Sequence, residues 1–523
     1  MHQQDESNEF SLHLLYRSLG LCLVVADPEP ETRLQLVNKV WKGVGKLSSA
    51  EAYVSCAEVW IQFVLKHFST KEVNAFIGNV VKHVALEKDR ESIYPSLHSI
   101  LDKILLSIVD FAALFAMDKF LPLLDLFEKE SDKVEACKMI IDAYLKRVDA
   151  DSEPLMDPFI IGALMNICRT MHNSLNALSV VDERRRIGNL INGFLLSVSY
   201  EKDFEAQLNF YADARAAFSI LDSVMSCLVQ RVNTLAMATL EIMEGVHSKK
   251  TGSFLRACVA FCFITIPSIE STLTRLDLYS LTGQVALANQ CWGQAEACFQ
   301  AIVDDLKLLP KCIEIDGRKA STDPWFEQFV MNFASALLLL PDASDEEPMV
   351  VLKRLLDMLD AHQWERQTDG LFRVQLGILQ LLSAATQEVY IHHIEGVDSN
   401  DTLYGGQGTF LQEVEDLASG LLEDLLGKLK ECEDQQAYQR QMDMGVRMLD
   451  TLTQFADLRE PALVKLAVNL WNLVQRNGGA VGQKLLVRRL ESLKRRSESG
   501  FTDDSGVEGL YSLIPKLQFK STV

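Results

Sequence analysis

The stretch ETRLQLVNKVWKGV, residues 31–44, sets Leu34, Val37, Trp41 and Val44 three or four positions apart with polar and charged residues between them. Side chains at that spacing share one face of a helix, so the segment reads as an amphipathic α-helix. The pattern returns in VLKRLLDML, residues 351–359, through Leu352, Leu355, Leu356 and Leu359. It recurs near the far end through Leu463, Leu466, Leu470, Trp471 and Val474. Strand signals are nearly absent, because β-branched residues rarely alternate with polar ones and no Asn-Gly or Asp-Gly turn joins two such runs. The expected fold class is all-α from end to end.

Helix breakers follow at short intervals: Asp27-Pro28, 47–50, Ser69-Thr70, 91–95, 149–158, 245–252, Pro267, 310–324, 341–348 and 396–408. They delimit helices of roughly 15 to 20 residues, the length found in helical hairpins. Two helices with their turns make a unit of about 40 residues, the size of a HEAT or armadillo repeat, although no strict signature recurs. One such unit cannot bury its apolar face alone, so neighbours must stack. The expectation is a HEAT-like α-solenoid, a superhelix of antiparallel helix pairs, continuous over residues 10–496. A disordered N-terminus (1–9), a short acidic loop (344–347) and a flexible C-terminal tail (497–523) are expected around and within it.

With 523 residues, 48% of them hydrophobic, the chain exceeds what one compact core holds. Its net charge of -21, from 72 acidic against 51 basic side chains, repels a phosphate backbone, so no nucleic acid is expected as a ligand. The first twenty residues lack a basic region followed by an apolar core, which argues against a signal peptide. Of the most apolar stretches, 104–127 is broken by Asp110, Asp118 and Lys119, and 257–266 ends at Pro267. No transmembrane segment is expected, and membrane association would be peripheral. The 11 cysteines contain no CxxC pair and are expected as free thiols of a cytoplasmic protein.

A search for chemistry finds little. No phosphate-cradling, zinc-binding or nucleophile-elbow spacing occurs, and Gly405, Gly406 and Gly408 follow a polar turn rather than a strand. Cys258 with Cys262 and His392 with His393 are too few to converge on zinc. The expectation is a non-enzyme with no catalytic, cofactor-binding or metal-binding residues. Lys484, Arg488, Arg489, Lys494, Arg495 and Arg496 form the only dense basic cluster in the sequence, placed to cap a helix end or to meet acidic lipid or an acidic partner. The spacing from Gly283 to Ala295 and Phe299 reads as close helix packing. In the polar loop GVDSNDTLYGGQG, residues 396–408, the candidate partner-binding residues are Asp398, Asn400, Asp401 and Tyr404. Asp398 and Asn400 could cap the next helix, with Tyr404 packing down on it, or Tyr404 could anchor a partner.

Longer blocks carry a resemblance. HSKKTGSFLRACVAFCFITIPSIESTLTRLDL (247–278), GQVALANQCWGQAEACF (283–299), IGNLINGFLLSVSYEKDFEAQLNF (187–210), CAEVWIQFVLKHF (56–68), SAATQEVYIHHIEGVDSNDTLYGG (383–406) and VNLWNLVQR (468–476) all contribute. Together they resemble the carboxy-terminal half of the large subunit of retriever, an endosomal recycling complex whose large subunit is related to that of retromer. The resemblance implies a HEAT-like scaffold of an endosomal sorting coat of the retriever or Commander type, peripheral on the cytosolic face of endosomes. It also implies recycling of membrane cargo to the cell surface. The implied partners are a metallophosphoesterase-fold small subunit of the vacuolar protein sorting-associated protein 29 type and the coiled-coil and COMM-domain proteins of Commander. The family's arrestin-fold subunit docks on the amino-terminal half, which this sequence does not match, so its binding is not carried over.

Overall fold

Several of the sequence breakers act as caps. Ser69 accepts a hydrogen bond from the Lys71 amide at 3.3 Å, while the Glu72 carboxylate accepts from the Ser69 amide at 3.1 Å, a reciprocal capping box. Asp157 likewise accepts from the Phe159 amide at 2.8 Å, with Pro158 in the first turn where its missing N–H costs nothing. The computed structural model describes residues 2–85, 87, 90–148, 154–176, 178–315, 318–340, 349–364, 369–386, 408–498 and 504–519, with backbone alone at 2–11, 408–410 and 504–508.

Two compact units divide the chain, one of residues 1–239 with 260–271 and one of residues 240–259 with 272–523. The first begins with α1 (His2–Ala26), α2 (Pro30–Val44), α3 (Ala50–His67), α4 (Thr70–Val84) and α5 (Tyr94–Ser107). There follow α6 (Phe111–Phe115), α7 (Phe120–Leu124), α8 (Glu130–Leu145), α9 (Pro158–Asn173), α10 (Val181–Ser197) and α11 (Phe204–Ala217). Here α1, α3, α5, α8 and α10 form one row in which each helix packs on the next, while α4 on α7 and α6 on α9 belong to a second layer. The helices α12 (Asp222–Ile242) and α13 (Lys249–Thr265) come next.

In the second unit α14 (Thr272–Ala288) packs on α15 (Trp292–Leu306), then come α16 (Asp323–Leu337), α17 (Val350–Ala361) and α18 (Gly370–Ala385). A Cβ at Gly283 would run into the Phe299 ring, so the spacing noted there is close packing of α14 on α15. The unit closes with α19 (Gly408–Asp434), α20 (Tyr438–Phe455), α21 (Pro461–Asn477), α22 (Gly479–Glu498) and α23 (Asp504–Leu513), each against a sequence neighbour. The core they share with α18 holds Phe372, Leu379, Leu429, Leu449 and Trp471.

The repeat is visible in the polar bonds between helices. Trp60 Nε1 donates to the Tyr16 carbonyl across 44 positions, Lys66 to the Val24 carbonyl across 42, Lys103 to the Glu58 carbonyl across 45, and Arg147 to the Leu105 carbonyl across 42. In the second unit Arg373 reaches Glu327 across 46, Arg476 reaches Glu433 across 43, and Arg496 reaches the Thr453 carbonyl across 43. A common separation near that of a two-helix unit is the mark of a HEAT-like solenoid. No residue signature carried it, because many residue types serve as donor.

The structure adds four particulars to these expectations. The backbone is already helical from His2, where a disordered stretch was expected over 1–9. At the other end α23 and a 3₁₀ turn, Ile514–Lys516, occupy part of the expected tail, and Leu510, Leu513 and Leu517 are buried. Strands are not wholly absent: Cys312–Ile315 (β1) pairs antiparallel with Arg318–Ser321 (β2), Ile315 opposite Arg318. The sequence CIEI followed by Asp316-Gly317 has the alternation and the turn residues of a two-residue hairpin, but over four residues only. Finally, residues 249–268 are long and apolar enough to cross a membrane by length and composition, because the helix extends well before the 257–266 stretch judged too short. Leu255, Cys258, Val259, Cys262 and Ile266 of that segment are buried within the protein. The acidic loop expected at 344–347 lies outside the described residues.

Candidate interaction surface

The proposed docking residues Asp398, Asn400, Asp401 and Tyr404 lie outside the described residues, as do Gly405, Gly406 and the pair His392 and His393. The helices that bracket them are described. At the α19 end Lys353 of α17 pairs with Glu413 at 3.0 Å, and on α18 Gln380 donates to the Thr451 hydroxyl at 2.9 Å. Deeper in, Gln375 donates to Asp360 at 3.1 Å and accepts from Lys428. Burial pushes the Asp360 carboxyl above its usual range, and burial also lowers the Lys428 ammonium. Both shifts oppose ionisation, the expected effect of removing a charge from water. This polar bridge ties α17, α18 and α19 together.

The basic cluster divides by environment. Arg489 pairs with Asp450 of α20 at 2.7 Å, while burial raises the Asp450 carboxyl against that attraction. Arg496 donates to the Thr453 carbonyl at 3.0 Å and the Gln454 carbonyl at 3.4 Å, which end α20, and burial holds its guanidinium below the ordinary range. It therefore caps a neighbouring helix rather than its own. Arg147 does the same for α5, reaching the carbonyls of Leu105 and Ile108 and lying 5.3 Å from the centre of the Phe111 ring. Lys484, Arg488, Lys494 and Arg495 are exposed along α22 and remain available to an acidic surface.

Elsewhere the Cys258 thiol is pushed up to about 12 by burial, and Cys262 donates weakly to the Val229 carbonyl at 3.7 Å. Such thiols stay protonated and behave as small apolar groups. No three potential metal-binding side chains come together among the described residues. A cavity of about 190 Å³ between α2, α3 and α4 is lined by Leu34, Val37, Trp41, Phe68 and Phe76. Thus the first apolar stripe is buried at one end, where Val44 is sealed, and open at the other, where Leu34 is 51% exposed. The sequence pattern gave no sign of that division, since a stripe names a helix face without saying how far its neighbour reaches.

The family model of the VPS35L C-terminal domain matches residues 1–523. The mouse and human proteins named VPS35 endosomal protein-sorting factor-like are each 44% identical over 94% of this chain and 51% of their own length. The Drosophila melanogaster protein of the corresponding name is 35% identical over 94% of this chain. The chain spans about half the length of these relatives. By its match along all 523 residues, this chain belongs to the family of the VPS35L C-terminal domain.

Proposed function

We propose that this chain is a non-catalytic scaffold of endosomal protein sorting, peripheral on the cytosolic face of endosomes, supporting return of membrane cargo to the cell surface. Within that role it holds a metallophosphoesterase-fold small subunit of the vacuolar protein sorting-associated protein 29 type and works alongside the coiled-coil and COMM-domain proteins of Commander. The observation that carries the reading is 44% identity to proteins named as endosomal sorting factors along 94% of the chain. Stacked helices that expose long faces suit the holding of other proteins.

Affinity purification of the tagged chain from cells, followed by mass spectrometry, tests the proposal. The small subunit should co-purify in near-stoichiometric amount. A folded, helical chain that recovers no metallophosphoesterase-fold protein would contradict it.

A further inference from the structure

A groove runs between α2 and α4 over a floor of α3, on which both helices pack. It has two adjoining parts: the cavity of about 190 Å³ at Leu34 and Phe76, and beyond it a wider one of about 440 Å³ that reaches Lys42, Lys82 and His83. Asn38, Trp41 and Asn79 line both. Trp41 lies 4.4 Å from Phe76 and 5.5 Å from Tyr53, ring centre to ring centre, and His83 stacks on Tyr53 at 3.8 Å. Facing helices usually interdigitate and bury the residues between them, yet Asn38, Ala75 and Asn79 are exposed on the two walls. All three sides of the groove are helices of this chain, so the gap lies between packed elements. Lys42 and Lys82 stand exposed in the last turns of α2 and α4, with no ion-pair partner among the described residues. Of the carboxylates here, Glu72 accepts from the Ser69 amide at the opposite end, and Glu87 acts on His83. The last turn of a helix favours cations through its dipole, which accounts for the lysines but not for the open cavity and the two amides beside them.

We propose that this groove binds an extended acidic segment of a partner protein, with an apolar side chain in the smaller cavity, the backbone between Asn38 and Asn79, and Asp or Glu side chains at Lys42 and Lys82. Trp41 and Phe76 give the smaller cavity the aromatic walls that an apolar anchor fills. An Asn amide carries a donor and an acceptor together, the complement of one peptide unit, and a pair on opposite walls grips an extended backbone from both edges. From Leu34 to Lys42 the α2 wall advances about 12 Å at 1.5 Å per residue, which an extended peptide covers in about four residues. Anchor and acidic side chain should therefore stand about that far apart. The cations are a local exception on a chain of net charge -21, so an acidic segment is drawn to this end of the groove and repelled by most of the remaining surface. A lipid headgroup would use the lysines alone and leave the cavity unfilled. Nothing in this depends on the sorting role.

A random peptide library displayed on phage and selected against the immobilised 523-residue chain supplies the probe. Selected peptides should share an aliphatic residue with Asp or Glu about four positions away. In fluorescence polarisation the best of them, labelled with fluorescein, should bind at least about tenfold more weakly to Ala75→Phe, whose ring fills the smaller cavity from an exposed position. Asn38→Ala with Asn79→Ala, two exposed changes that leave the packing intact, should weaken it by a similar factor, and Lys42→Glu with Lys82→Glu should do so for acidic peptides alone. Each variant should keep the parent helical spectrum. A selection with no shared pattern, a pattern without acidic residues, or an affinity unchanged by the two Asn substitutions overturns the proposal. Phosphatidylserine vesicles that bind through Lys42 and Lys82 while no peptide does would assign the groove to lipid, and a dimer of the chain that Ala75→Phe dissociates would assign it to a second copy; either result overturns it equally.

Discussion

At the scale of single residues, partly buried polar groups tie one repeat to the next. Glu58 on α3 accepts from the Ser99 hydroxyl at 2.9 Å and from Lys103 at 3.3 Å, with Arg17 at 3.9 Å. Burial alone would raise its pKa, but the hydrogen bond from Ser99 and the charges of Lys103 and Arg17 outweigh it and leave the carboxyl below its usual range. A carboxylate held low stabilises the fold above its unfolded pKa and loses that contribution as pH falls through the folded one. Glu58→Gln should therefore cost about 1–2 kcal/mol in urea unfolding at pH 7, and the gap from wild type should close as pH drops below about 4. An unchanged midpoint at pH 7 would show that Glu58 is a solvated residue. The loop tests a different residue. If Tyr404 anchors a partner, Tyr404→Ala with Asp401→Lys weakens capture of the small subunit while the melting transition stays within about 1 °C, the size of a surface change. Capture and melting temperature falling together would make the loop a helix cap instead.

At the scale of the helix, α22 separates neighbours that look alike in sequence. Arg495 is exposed, whereas Arg496 closes the last carbonyls of α20 from a half-buried position. Arg496→Ala should cost about 1–2 kcal/mol, as the loss of a cap with a charged donor does, and Arg495→Ala less than about 0.5 kcal/mol. Parallel urea curves for the two variants decide it: equal midpoints refute the cap. This contrast also marks the limit of the sequence reading. Periodicity identified Leu352, Leu355, Leu356 and Leu359 as one face; Leu352, Leu355 and Leu359 are at most 2% exposed, while Leu356 is half-buried. Caps at Ser69 and Asp157 were legible because they act on amides two or three positions away. Arg147 and Arg496 were not, since their acceptors lie about one repeat away and only the folded stack brings them together. The hairpin of β1 and β2 was missed for a different reason: four alternating residues are too few to stand out between long helices.

At the scale of the whole molecule, fold and charge make separate claims. The described residues hold 23 α-helices and a single two-stranded sheet, so the circular dichroism spectrum should be helix-dominated. Strand content above about a fifth, the ordinary globular share, would contradict that. An excess of 21 negative charges leaves few places where a polyanion could release counterions on binding. The exception by sequence is the cluster on α22, yet Arg489 is engaged by Asp450 and Arg496 by backbone carbonyls. The four exposed cations that remain share their helix with Glu491 and Glu498, which dilutes the local field. Nucleic-acid binding that needs several phosphate contacts loses roughly a thousandfold or more between low and moderate salt, and a face with this balance starts from too little. A duplex of random sequence should therefore show no shift with this chain at about 150 mM salt, where non-specific binders reach dissociation constants of about 10⁻⁴ to 10⁻⁶ M. A band shift with micromolar affinity, abolished by Lys484→Glu with Arg488→Glu, would mean that the local cluster overrides the net charge.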